Sequence, residues 1–450
     1  MQEAPVLDQL AARAKAGNPL RVGLIGAGKF GTMFLSQACR IPGLHVLGIA
    51  DLSVERIKQA LTRAEWSAGL DFAKTFDQAI SEGTTHLTED GEALIKANGL
   101  DVLVEATGDP RAGVGYALAA IDHGRHVVMV NVEADVLMGP MLARAAESAG
   151  VVYSLAYGDQ PALICELVEW ARACGFKVVC AGKGTKYLPA YHASTPDTVW
   201  EHYGYSEEKV AEGDFNPKMF NSFLDGTKSA VEMAAVANAT GLQPQKAGLA
   251  FPPCSVKQLA NICRPRSEGG QLEHSGTVEV VSSLERDGSP VKDDLRWGVY
   301  VTFEAGSGYI RRCLEEYGLP TDDRGRYSAT YRSYHLVGME LSVSVLKAGL
   351  KGEATGCPGE FRADVVATTK RDLTAGEVLD GEGGYCVYGR LMPAQDALDD
   401  GLLPIGLAQS VKLKNDISEG QHVRWSEVEI DEGDSVVRLR RRMEKEACVS

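Results

Sequence analysis

Val22-Gly23-Leu24-Ile25-Gly26-Ala27-Gly28-Lys29-Phe30-Gly31 decides the reading of this chain. An apolar run ends on glycines spaced G-x-G-x-x-G, and a helical pattern opens at once. Asp51 then closes the next apolar run, twenty positions past the third glycine. In a strand–turn–helix unit the first glycine permits the tight bend and the second lets the backbone approach a pyrophosphate. The third allows close helix-on-strand packing, and the helix N-terminus offers free N–H groups to the phosphates. The acid at that distance suits the two hydroxyls of an adenosine ribose. A dinucleotide site built on Gly26, Gly28, Lys29, Phe30, Gly31 and Asp51 is therefore expected.

Outward from that stretch, short apolar runs alternate with segments of helical spacing. The runs are Val22 to Gly26, Val46 to Asp51, Val102 to Ala106, Val127 to Asn131 and Val151 to Ser154. Alternation of this kind predicts an α/β fold with a Rossmann, doubly wound parallel sheet whose ligand lies at the carboxyl ends of the strands. Thr107 and Gly108 follow one run, and Asn131 and Glu133 follow another, so all four should line the crevice. Asp51 would repel a 2′-phosphate and by itself favours NAD, while Arg56 stands one helical turn further on.

The length of 450 residues implies two or three domains. We place a dinucleotide-binding domain at 1–175, an α+β catalytic and dimerisation domain at 176–362, and a small β-rich domain at 363–450. In the last of these, Lys370 to Val378 is echoed by Lys414 to Val423, a faint internal repeat. A net charge of −15 argues against nucleic acid and anionic membranes as partners. Arg438, Arg440, Arg441 and Arg442 form a local exception, read as a solvated edge balanced by Glu444 and Glu446. Ten scattered cysteines without a CxxC pair, and an N-terminus without an apolar signal core, lead us to expect a cytoplasmic protein with reduced thiols.

In the middle domain one long helix is expected, with Asn216 as N-cap, Pro217 at its first position and an end near Gly241. At 100° per residue Asn221, Asp225, Lys228 and Glu232 share a stripe. A lysine between carboxylates can hold a carbonyl and donate a proton, while the acids orient it or bind a divalent cation. Gly226, costly inside a helix, suggests close approach of a ligand there. Lys183-Gly184-Thr185-Lys186 is expected to be an anion-binding turn after a strand. Arg311 and Arg332, among tyrosines, could join Lys186 in clamping a phosphorylated substrate. The motifs GxSxG, HExxH and GxxxxGK[ST] do not occur, so hydrolase, zincin and P-loop readings lack support.

Several longer motifs carry a family resemblance. They are Gly26 to Gly31, Val130 to Asp135, Asn221-Ser222-Phe223-Leu224-Asp225-Gly226-Thr227-Lys228-Ser229, Phe251 to Cys254, Asp294 to Tyr300, Tyr331 to His335, Asp380 to Gly383 and Leu403 to Leu407. With these the chain resembles, over almost its whole length, the homoserine-dehydrogenase-like oxidoreductases that carry a C-terminal SAF domain. Within that group it looks like the deoxyxylulose-phosphate reductoisomerase-like enzymes. The resemblance implies NADPH as cofactor, a sugar phosphate as substrate, a homodimer joined through the central domain and room for Mg²⁺ or Mn²⁺, with no metal ligands identified. Homoserine dehydrogenases keep a lysine where this chain has Val132, which counts against homoserine as substrate. Lys228, Asp225, Glu232, Lys183 and Lys186 are the catalytic candidates. Two alternatives remain: a homoserine-dehydrogenase-like or other hydroxy-acid or polyol dehydrogenase, and a cofactor-sensing binding protein whose β-rich tail recruits a partner.

Overall fold

The computed structural model describes residues 4–66, 71–212 and 215–447. The chain gathers into two compact units, Met1–Leu163 with His335–Gly359, and Ile164–Tyr334 with Glu360–Ser450.

In the first unit, strands β1 (Leu20–Ile25), β2 (Leu44–Ala50), β3 (His86–Thr88), β4 (Val102–Glu105), β5 (His126–Met129) and β6 (Tyr153–Leu155) form one sheet in the order β3-β2-β1-β4-β5-β6. Every neighbouring pair is parallel. This is the doubly wound order, whose switch point lies between β1 and β4. Val22, Leu24, Val102, Val104 and Val128 fill the core together with Phe34, Leu35, Ile57 and Leu61 from two flanking helices. Strand β3 was not anticipated, because three residues are too short to show a period. Leu341, Val345 and Leu346 join the same core, and Leu155 donates its N–H to Gly356 O at 2.8 Å. Residues 335–359 therefore group with the first unit and not with the middle domain, where the expected boundary at 362 had placed them.

The second unit holds β7 (Lys177–Thr185), β8 (Thr277–Ser282), β9 (Val299–Glu304) and β10 (Tyr327–Arg332) in a mixed sheet ordered β10-β9-β7-β8. Two smaller antiparallel sheets follow: β11 (Ala363–Thr369) with β13 (Val387–Pro393), and β12 (Val378–Asp380) with β14 (Gln409–Leu413) and β15 (Val428–Glu429). The internal repeat pairs with itself: Leu373 and Ile417 exchange backbone hydrogen bonds of 2.8 and 2.9 Å. Asp372 Oδ1 accepts Glu419 N–H at 2.8 Å, and its counterpart Asp416 Oδ1 accepts Ala375 N–H at 2.7 Å. Among the described residues no helix is long and apolar enough to cross a membrane.

Two expectations are corrected here. The long helix is two helices, Pro217–Leu224 and Thr227–Thr240, because Gly226 takes φ 91° and ends the first. Its outer ends are as expected: Asn216 Oδ1 accepts from Lys218 and Met219 N–H, and Gly241 closes the second helix at φ 73°. The C-terminal arginines are not all solvated, either. Arg440 has 0% of its surface exposed, pairs with Asp364 and Glu444, and lies over the Phe361 ring.

Candidate active site

The glycine loop is built for backbone approach. A Cβ on Gly26 would stand 2.3 Å from Ala106 O, and one on Gly31 would stand 2.3 Å from Gly26 O, so both positions are closed to any side chain. Gly28 faces open space, and it precedes the helix Lys29–Ala38 without a side-chain cap, leaving the first N–H groups to a ligand. Lys29 is exposed and Phe30 half-buried at that helix start. Asp51 Oδ2 accepts Ala27 N–H at 2.7 Å and Oδ1 accepts Leu52 N–H at 2.7 Å, with Arg56 Nε 3.5 Å away. The acid expected to meet the ribose is thus tied to the glycine loop. These residues fit a nicotinamide dinucleotide: an open-faced glycine, an uncapped helix start and an acid at the end of β2.

At the neighbouring strand ends, Gly108 takes φ 75° beside open space. Asn131 donates to Asp109 O at 2.8 Å and to Thr107 Oγ1 at 3.3 Å, and its Oδ1 caps the helix Val132–Ser148 through Ala134 N–H at 3.1 Å. Glu133 occupies the first turn of that helix. Sequence reasoning missed Glu105, which ends β4 with 0% exposure and whose burial pushes its carboxyl up to about 7. The signal was present as an acid inside an apolar run.

In the second unit, the stripe expected on one helix is reorganised by the break at Gly226. Asn221 accepts the Ser194 hydroxyl at 2.7 Å and donates to Ser194 O and Gly383 O. Asp225 accepts Thr227 N–H at 2.9 Å and lies 2.7 Å from Lys370 Nζ, with both side chains buried. Lys370 also donates to Ser194 O at 2.8 Å and Gly384 O at 2.7 Å. Glu232 forms a buried ion pair with Lys183. Lys228 begins the second helix half-buried. Each carboxylate proposed for a cation is therefore occupied by a lysine. Among the described residues, no group of three or more His, Cys, Asp and Glu side chains is arranged to hold a metal ion. The donor set does not fit Mg²⁺ or Mn²⁺.

Lys183 and Gly184 lie inside β7, bonded to neighbours on both sides, and Thr185 ends it paired with Ser282 of β8, so they do not form the expected anion-binding turn. Lys186 follows the strand and donates to His202 O at 2.5 Å; burial and then Arg296 lower its pKa. Register places Lys183 opposite Val299, and Val299 opposite Arg332, so Arg332 shares that end of the sheet. Arg311 does not join them. Its helix, Gly308–Glu316, leaves β9 at Glu304, which pairs with Lys177 at the far end, about 17 Å of strand away.

A histidine unforeseen in the sequence stands against the Gly226 turn. His192 Nδ1 donates to Asp225 O at 2.7 Å, since a carbonyl only accepts, and Tyr187 Oη then donates to Nε2 at 2.9 Å. Burial lowers the His192 pKa and raises that of Tyr187 to about 12. The rings of Tyr388 and His192 stack at 4.5 Å, and those of Tyr187 and Phe251 at 3.9 Å.

Two family models match the chain. Residues 26–155 match the one described as homoserine dehydrogenase, NAD binding domain, and residues 158–341 match oxidoreductase DRL, catalytic domain. No curated protein matches. A probable dehydrogenase from Thermotoga maritima is a solved structure 13% identical over 76% of this chain and 91% of its own, with a TM-score of 0.39. KijD10, a 3-ketoreductase from Actinomadura kijaniata solved with NADP, is 16% identical over 38% of this chain and 50% of its own, with a TM-score of 0.26. Myo-inositol dehydrogenase from Lactobacillus casei, solved with NAD(H) and myo-inositol, is 14% identical over 40% and 50%, with a TM-score of 0.29. The chain spans about half the length of the last two. The matched models together describe the domain pair of an NAD(P)-dependent oxidoreductase, nicotinamide-binding first and catalytic second.

Proposed function

We propose that the chain is an NAD(P)-dependent oxidoreductase, and specifically a reductoisomerase that converts 1-deoxy-D-xylulose 5-phosphate to 2-C-methyl-D-erythritol 4-phosphate, an isoprenoid precursor. The succession of an NAD-binding match at 26–155 and an oxidoreductase catalytic match at 158–341 supports the oxidoreductase part of this reading, and the sequence resemblance alone suggests the reductoisomerase part. The family-like segment Asn221 to Ser229 lies in the second. The dinucleotide rests on Gly26 to Gly31 and Asp51, and when bound it supplies a hydride. Lys228 polarises the ketose carbonyl while the carbon skeleton rearranges, and then donates the proton that the new alcohol oxygen needs. The pairs Lys183–Glu232 and Lys370–Asp225 hold the start and second turn of its helix in place. Lys186 and Arg332, with Arg296 added from the structure, form the cationic end suited to the sugar phosphate. A cytoplasmic homodimer completes the proposal.

The assay is loss of reduced-nicotinamide absorbance when the protein is mixed with 1-deoxy-D-xylulose 5-phosphate and NADPH or NADH, with and without Mg²⁺ or Mn²⁺. Turnover that Lys228→Ala abolishes is expected; no turnover removes the substrate. A second reading, a homoserine-dehydrogenase-like or other hydroxy-acid or polyol dehydrogenase, draws support from the name of the model matched at 26–155. It requires homoserine or a polyol to reduce NAD(P)⁺.

A further inference from the structure

We infer that Glu105 is a positioning residue for the nicotinamide: its carboxylate shapes the carboxyl ends of β4 and β5 and makes the crevice favour the oxidised, cationic ring over the reduced one. This rests on the reading of the first unit as a nicotinamide site. In a doubly wound sheet the ligand lies outside the carboxyl ends of the strands at the switch point, here β1 and β4. Glu105 is the last residue of β4.

Its surroundings are specific. Glu105 Oε1 accepts Thr107 N–H at 3.0 Å. The segment so held packs on the glycine loop, because a Cβ on Gly26 would meet Ala106 O at 2.3 Å and Thr107 N at 2.9 Å. Asn131 stands beside the same carboxyl and steadies its ionised form, while donating to Thr107 Oγ1 and Asp109 O. Glu105 Oε2 is sealed from solvent without a hydrogen-bond partner. Room for the pair exists only because residue 113 is glycine: a Cβ there would stand 2.6 Å from Asn131 Nδ2 and 2.9 Å from Glu105 Oε2. One carboxyl thus braces the glycine loop, the Thr107–Gly108 turn and the cap of the helix Val132–Ser148.

A buried carboxylate in a medium of low polarisability acts strongly on a nearby cation. The oxidised nicotinamide ring is cationic and the reduced ring is neutral, so only the first gains from ionised Glu105. The other titratable groups facing it are Glu133 and the Asp135–Tyr153 pair, from the helix Val132–Ser148 and from β6, and Tyr116 from the helix Pro110–Asp122. Burial places the carboxyl near pH 7, so ionisation occurs across the neutral range. Oxidised-cofactor affinity should therefore rise with pH, and reduced-cofactor affinity should follow it less.

The experiment measures dissociation constants of NAD⁺, NADH, NADP⁺ and NADPH for the full-length protein between pH 5.5 and 8.5, by calorimetry and nicotinamide fluorescence. Wild type should bind the oxidised form of its preferred cofactor roughly threefold or more tightly at the alkaline end, with a smaller change for the reduced form. Glu105→Gln should abolish that difference. Thr107→Ala keeps the carboxylate and its backbone donor but removes the hydroxyl beside it, so it should weaken both forms by a similar factor and keep the redox difference with its midpoint moved to higher pH; it stands as the control should the glutamine variant fold poorly. Equal pH dependence for the two redox forms in wild type, or an unchanged difference in Glu105→Gln, overturns the inference. Failure of wild type to bind any of the four overturns the nicotinamide reading beneath it.

Discussion

Replacing Asp135 by asparagine should stabilise the dinucleotide-binding unit in alkaline solution and leave it little changed in acid. Asp135 lies in the first turn of the helix Val132–Ser148 with 0% exposure, accepts the Tyr153 hydroxyl at 2.9 Å through Oδ1, and has no hydrogen-bond partner at Oδ2. The helix N-terminus favours the anion, but burial outweighs it and pushes the carboxyl up from 3.8 to about 7. Because the folded value lies above the unfolded one, the group's contribution is fully present below about pH 4 and is lost as pH rises through about 7. About three pH units at 1.36 kcal/mol each make that loss on the order of 4 kcal/mol above pH 8. Asparagine keeps the acceptor for Tyr153 and cannot ionise. At roughly 2–4 °C per kcal/mol for a unit of this size, Asp135→Asn should raise the melting temperature at pH 8.5 by about 8–16 °C. Scanning calorimetry of the cofactor-free protein at pH 5 and pH 8.5 measures it. A variant whose melting temperature falls in parallel with that of wild type between those values would refute the reasoning.

Three further outcomes follow from the same geometry. Asp51→Asn removes the charge facing a 2′-phosphate while keeping acceptor capacity toward the Ala27 loop, so the NADP-to-NAD affinity ratio should rise about tenfold or more in fluorescence titrations. Arg440→Met strands the buried Asp364 carboxylate and should cost about 3–5 kcal/mol in thermal unfolding, a loss that Asp364→Asn in the same chain should largely reverse. Gly226→Ala forces a side chain to φ 91° and should cost about 1–3 kcal/mol while displacing Lys228, which a fall in kcat larger than any change in nucleotide affinity would report.

The tight glycine loop, the doubly wound sheet and both outer caps of the helices at Asn216 and Gly241 could be read along the chain, because each depends on residues within one turn or one strand of each other. Asp51 was also within reach, since a fixed spacing carries it to the end of β2. Spacing alone misjudged Gly226, because whether a glycine interrupts a helix depends on what receives Asp225. That partner, Lys370, lies 145 positions away in the β-rich tail. Arg311 and Arg332 looked alike as sequence, and strand register sent them to opposite ends of one sheet. Arg440 looked solvated until Asp364 and Phe361 closed over it. Local backbone preference and hydrophobic period act over a few residues and so are written in the chain itself. The fate of a charge depends on which distant groups exclude water from it and which oppose it, and only the folded packing decides that.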